Sequence, residues 1–194
     1  MHHILMNTKK LKKQFLNNKT MKKLFSILMV AVAINFATAQ SAFDKFEDKD
    51  GVTSVIVNKK MFEMMSKVKV DTKDTETQQY LNLLKKLDNL KVFTTSNTKI
   101  ADEMKSTVNS YLKSNPLEEL MRVNNEGKNV KIYVNANGGS TIVKELLMFI
   151  EGSAKDNETV VLSLTGNFNL DEISVLTDKM KLPGGSDLKN ASKK

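Results

Sequence analysis

Residues 119–134 read Glu119-Leu120-Met121-Arg122-Val123, then Asn124-Asn125-Glu126-Gly127-Lys128, then Asn129-Val130-Lys131-Ile132-Tyr133-Val134. Val130, Ile132 and Val134 alternate with Lys131 and Tyr133. A period of two is the pattern of a half-buried strand. Glu119 to Val123 predicts the strand before it, and the Gly127 segment the hairpin turn between them. Downstream, Asn135 to Ser140 carries Gly138-Gly139 and turns the chain again. Val160, Leu162 and Leu164 then alternate with Val161, Ser163 and Thr165 in another strand. Between these lies one ambiguous run. Ile142, Val143, Leu146, Leu147 and Ile150 fit a helical period, but the run is short, β-rich and bounded by Gly139 and Gly152. With strands on both sides it is read as a strand, which completes a four-strand antiparallel meander. Asn169 is placed to cap a last helix through Leu170, Ile173, Leu176 and Met180, with Glu172 at the reciprocal capping position.

The half that precedes the meander has a different rhythm. Phe43 and Phe46 suggest a short opening helix, broken at Asp50-Gly51. Val52 to Asn58 is rich in β-branched residues and predicts a strand buried on most of both faces. Lys60 to Val68 puts Met61, Phe62, Met64, Met65 and Val68 on one helical side. Glu76 to Leu87 repeats Tyr80, Leu81, Leu84 and Leu87 at helical spacing, and Leu90 to Thr95 predicts a second strand. Asn97 caps a helix through Ile100, Met104, Val108, Tyr111 and Leu112, which ends at Asn115-Pro116. The order β-α-α-β-α then β-β-β-β-α predicts an α+β fold. Its sheet is mainly antiparallel, with helices covering one face.

Outward from this body, the ends differ in kind. Met21-Lys22-Lys23, an eleven-residue apolar stretch from Leu24 to Ile34, and Ala37-Thr38-Ala39 form a signal-peptide pattern over residues 21–39. Cleavage after Ala39 would leave Gln40 as the first residue. The apolar stretch falls short of the roughly 20 residues a spanning helix needs, so no stable transmembrane segment is expected after processing. No Cys follows it, so a lipid-anchored lipoprotein is not expected. Residues 1–20 read as an over-extended start or basic lead, residues 40–180 as a single α+β domain, and residues 181–194 as a flexible tail.

The formal net charge of +8 is concentrated in the leader. Residues 1–39 hold seven lysines and no acid, whereas the chain from Gln40 has 23 basic and 22 acidic residues. A near-neutral body gives no basic field for nucleic acid. The two histidines are His2 and His3, and there is no Cys. From Gln40 onward this excludes disulfides, thiol nucleophiles, Ser-His-Asp catalysis and ordinary zinc or haem sites, so no cofactor is expected.

Few residues stand out as chemistry. Asp48, Asp50 and Gly51 match positions 3, 5 and 6 of a calcium loop, with Asp44 nearby. Phe46 and Val57 fall where positions 1 and 12 need ligands, so no metal site is read. Asn137-Gly138-Gly139-Ser140-Thr141 lacks the lysine of a phosphate loop and reads as a turn. Asn157-Glu158-Thr159 is a glycosylation sequon that matters only on a eukaryotic secretory route. Met61, Met64 and Met65 read as core filling rather than a binding groove. Arg122 is the one arginine, and its planar fork can clamp a carboxylate or phosphate. Glu118, Glu119 and Glu145 are its possible partners. An outer-face ion pair is the plainer reading, and a ligand or partner contact the sharper one. No carboxylate pair stands out.

Four stretches carry a family resemblance: residues 43–65 (FDKFEDKDGVTSVIVNKKMFEMM), 87–95 (LDNLKVFTT), 117–134 (LEELMRVNNEGKNVKIYV), and 142–180 with ELLMFIEG and VVLSLTGNFNLDEISVLTDKM. On these the chain resembles the bacterial domain-of-unknown-function family 4252, exported proteins of one Gram-negative phylum. The resemblance covers most of the chain after residue 40 and implies no catalytic residues. The function expected is an exported, non-catalytic cell-envelope module, binding or regulatory, in the periplasm or envelope or outside the cell, with an envelope protein or a small ligand as its partner. One alternative is an exported hydrolase, which needs a pocket with two carboxylates about 5–10 Å apart. Another is an outer-membrane or surface accessory component, which needs an exposed apolar patch.

Overall fold

A computed structural model describes residues 42–68, 74–125, 127–136, 141–152, 158–181 and 183–185. The leader, the Ala39–Gln40 junction, the 137–140 turn and most of the C-terminal tail lie outside these residues. A single 3-10 turn, Asp44–Phe46, opens the described chain. It leads to β1 (Thr53–Asn58), α1 (Lys59–Met65), α2 (Thr75–Leu84), β2 (Leu87–Thr95) and α3 (Thr98–Ser114). The meander follows as β3 (Glu118–Asn125), β4 (Lys128–Ala136), β5 (Ile142–Glu151) and β6 (Thr159–Asn169). A 3-10 turn at Leu170–Glu172 and α4 (Ile173–Met180) close the order.

The six strands form one sheet in the order β1-β2-β6-β5-β4-β3, with every neighbour antiparallel. The α+β class and the meander match the expectation. The ambiguous 142–150 run is a strand. A bulge between Val143 and Glu145 shifts its register, which explains its mixed periodicity. Gly127 adopts a φ of 85° in the β3–β4 turn, a left-handed conformation glycine enters without a Cβ clash. Gly166 meets a different demand. A Cβ there would sit 2.4 Å from the Lys86 carbonyl oxygen, so β6 approaches β2 this closely only through glycine.

Capping residues delimit the helices as their chemistry predicts. Asn58 Oδ1 accepts from the Met61 amide, Asp74 from that of Glu76, and Asn97 from those of Lys99 and Ile100. Asn169 and Glu172 form the expected reciprocal box ahead of α4. α2 stops at Leu84, three residues short of the helical reading, because Leu87 already pairs with Gly166 at the start of β2.

Helices cover both faces of the sheet, not one. On the first face Leu90, Val130, Ile132, Val134, Leu146 and Leu164 pack with Phe62 of α1, Leu83 and Leu84 of α2, and Ile173 and Leu176 of α4. One apolar row on this face crosses all six strands: Val55, Val92, Leu162, Met148, Ile132, Met121. On the second face Phe93, Leu147, Phe149 and Val161 are buried with Ile100, Met104, Val108 and Tyr111 of α3. Phe43 packs against Tyr111 at 5.3 Å and Phe46 against Phe93 at 5.9 Å between ring centroids. Lys131 and Tyr133 consequently are half-buried on this covered face, where a bare face would leave them exposed.

Two apolar readings are corrected. β1 is an edge strand: Val57 is buried, but Val55 is 47% and Ile56 43% exposed. β-branched composition marked it as a strand without revealing that, among the described residues, no strand pairs with its other side. On α1, Phe62 is buried and Met65 half-buried, while Met61 and Met64 face solvent with Val68 beyond the helix. Met61 and Met64 are therefore not core filling, whereas Met65 packs against the core as read. A seven-residue helix at the margin of the sheet turns only one side inward.

Candidate functional site

Three features gather polar or exposed groups, and each arises from a definable local cause. The first is an open cleft of about 490 Å³ between the start of β1 and the β2–α3 junction. Gly51, Val52 and Thr53 form one side, Thr94, Thr95, Ser96 and Asn97 the other, and Glu158 contributes the one carboxylate. Two of its polar groups are already engaged. Thr95 donates its hydroxyl to the Gly51 carbonyl at 2.6 Å, and Asn97 caps α3.

The second feature lies on the second face. Tyr111, near the end of α3, donates its hydroxyl to Glu145 Oε1 at 2.7 Å. Glu145 is 6% exposed. Burial raises its pKa above the ordinary carboxylate range, and the Tyr111 hydroxyl opposes that rise. Burial, reinforced by Glu145, also pushes the Tyr111 phenol well above its usual value. Both shifts favour the protonated forms. Thr165 and Asn89 follow Glu145 in the register across β6 and β2. Their buried Oγ1 and Oδ1 have no hydrogen-bond partner. Nearby on β2, buried Lys91 is held by Asp44 and by Glu47, the latter at 2.6 Å. Burial works against its charge, but the two carboxylates outweigh it and its pKa rises.

The third feature is the exposed apolar margin of β1 and α1, formed by Val55, Ile56, Met61 and Met64. It has no charged residue within the strand, Thr53-Ser54-Val55-Ile56-Val57-Asn58.

Of the residues singled out in the sequence, Gly51 lines the cleft, Asp44 holds Lys91, and Met61 and Met64 form the margin, while Arg122 falls away from all three. Arg122 lies on edge strand β3 and is exposed. It makes a two-pronged pair with Glu119 of the same strand, Nε to Oε1 at 3.0 Å and Nη2 to Oε2 at 2.5 Å. The fork is thus occupied along the strand, not across it, and Glu145 belongs to Tyr111. Arg122→Lys should therefore leave the melting temperature unchanged within error. Parallel melts of the two proteins check this, and a large drop would show the fork holding more than Glu119. Asp44 goes to Lys91. Among the described residues no group of three or more acids or histidines is placed to hold a metal. Sequence reasoning missed the Tyr111–Glu145 pair. Tyr111 was legible only as part of an apolar stripe, and the bulge at Val143–Glu145 decides which face Glu145 meets.

Fold and site together define a mixed α+β domain on a six-stranded antiparallel sheet, with a polar cleft and an uncovered apolar margin at β1. Its Phe46–Leu176 span is where family membership is shown. The chain belongs to the family described as Domain of unknown function (DUF4252), whose model matches residues 46–176. No curated protein and no solved structure matches the chain. Among the described residues, no helix is long and apolar enough to cross a membrane.

Proposed function

We propose that this protein is an exported, non-catalytic module of the Gram-negative cell envelope that works by binding a protein partner. The apolar margin carries the reading. Val55, Ile56, Met61 and Met64 are large and exposed, on an outermost described strand of the sheet and on the helix that follows it at once. Protein recognition uses such edges for main-chain hydrogen bonds and such methionines as adaptable apolar contacts. The cleft favours this over the hydrolase alternative, because it is lined by one carboxylate, Glu158, where that chemistry needs two. Export rests on the charged, apolar and small-residue pattern from Lys22 to Ala39. The exposed margin also suits an outer-membrane or surface accessory component, which cell fractionation distinguishes from a periplasmic module.

Two measurements test the proposal. N-terminal sequencing of protein from the native host should find Gln40, free or as pyroglutamate; retention of residues 1–39 would refute export by cleavage. A photoreactive residue at Met64 in intact envelopes should give a discrete crosslinked species, while the same residue at exposed Lys113 of α3 should not. Equal, diffuse labelling at both positions would refute the margin as a binding surface.

A further inference from the structure

The two edges of the sheet are built differently. β3 carries Glu118, Glu119 and Arg122 and has a bulge between Glu119 and Met121. Charges and bulges are devices that keep an edge from pairing with another chain. β1 has neither: its six residues hold no charge and no proline, and its register with β2 runs without a shift. The first-face apolar row makes the same point from inside the sheet. Val92, Leu162, Met148, Ile132 and Met121 are all buried, and the row is exposed at Val55, where no other described strand flanks β1.

We infer that β1 pairs antiparallel with β1 of a second copy, joining two six-stranded sheets into one continuous sheet about a two-fold axis. This rests on the protein-binding reading of the margin and names the partner. Residues opposed across a sheet share a face, so residues of like parity along β1 must meet. Centring the axis on Val55 satisfies this. Val55 then opposes its own copy, Thr53 opposes Val57, and Ser54 opposes Ile56. The apolar row continues through Val55 into the second sheet without a polar interruption.

Charge agrees with the antiparallel sense. The turn before one β1, with exposed Asp48 and Asp50, then lies toward the exposed Lys60 that follows the other β1, on both sides of the axis. Pairing β3 with itself would instead bury the exposed charges of Glu118, Glu119 and Arg122 and the bulge beside them against a second copy. α1 lies on the first face against β1 and β2, so the two α1 helices of the assembly flank the axis on one side. A two-fold interface of this kind uses the same patch on both subunits and closes at two.

The absence of cysteine makes the test unambiguous. The exported chain should sediment at twice its monomer mass. Val55→Cys should be captured as a covalent dimer by a short bis-maleimide, and Leu120→Cys on the opposite edge should not. Val55→Lys should sediment as a monomer with an unchanged far-ultraviolet spectrum, since Val55 is already half exposed. Monomeric wild-type protein, or equal capture at Val55 and Leu120, would overturn the second-copy inference. If the wild type is monomeric while the Met64 photocrosslink captures a different protein, the partner is another chain and the binding reading survives. If Met64 captures nothing as well, both fail.

Discussion

Ile132→Asp should yield no cooperatively folded protein. Ile132 is fully buried in the middle of β4, with Met121 opposite it on one side and Met148 on the other. A carboxylate there exchanges water for an apolar row, at an effective cost of several kcal/mol after relaxation. Protonation relieves the charge but still leaves a buried polar group and a poorly filled site. Native domains have only about 5–15 kcal/mol in hand, so the loss is a large share of it. Ile132→Val is the matched control, expected to cost about 0.5–1.5 kcal/mol and to melt cooperatively. Thermal melts by circular dichroism compare the two. A soluble Ile132→Asp protein with a sharp transition would contradict the face assigned to β4.

The second large effect concerns the clasp between α3 and β5. Tyr111→Phe keeps the ring against Phe43 but removes the donor that Glu145 uses. An orphaned buried acceptor costs about 1–3 kcal/mol. The pH dependence gives an independent readout. Because burial raises the Glu145 pKa in the folded state, the folded protein holds this proton where the unfolded chain, with a carboxyl near about 4.3, has lost it. Stability from this group is therefore full below about pH 4.3 and falls as pH rises toward the folded value. Glu145→Gln has no such proton, so the wild type should lose stability relative to it across that window. Tyr111→Phe should extend the window upward, since the hydroxyl opposes the rise. The comparison must be made between variants. Asp74, Glu103 and Glu119 are held low by hydrogen bonds and nearby cations, so their contributions run the opposite way. A pH profile identical in wild type and Glu145→Gln would show that Glu145 ionises freely in the fold.

Much of this architecture was legible because its causes are local. The alternation of Val130, Ile132 and Val134 set the inner face of β4, and Asn97, Asn169 and Glu172 marked helix starts by their capping chemistry. What stayed hidden depends on who the neighbours are. Val52 to Asn58 looked buried on most of both faces because β-branched residues signal a strand, and nothing within the strand says whether it lies at an edge. Met61 and Met64 looked like core for a related reason: helical spacing aligns them, but the sheet margin leaves that side of α1 uncovered. The second covered face followed from α3 packing behind the strands, a long-range choice. The candidate site was the least legible part. Arg122 drew attention by rarity, yet its fork closes on Glu119 three residues away, while Glu145 depended on an unseen bulge.

The position of β6 has a consequence for how the chain comes together. The last strand made is the one at the centre, lodged between β2 and β5. Until Thr159–Asn169 has emerged, the chain holds two fragments, β1 with β2 and β3 through β5, each with an inner edge open. β2 and β6 are separated by α3 and three strands, so the joining contact closes a long loop and comes late. Any chain cut after Glu151 loses the keystone rather than a terminal flourish. It should behave as two unsatisfied half-sheets, not as a slightly shortened domain. Assembly is thus gated by completion of synthesis, and the fold carries its own test of an intact C-terminal third.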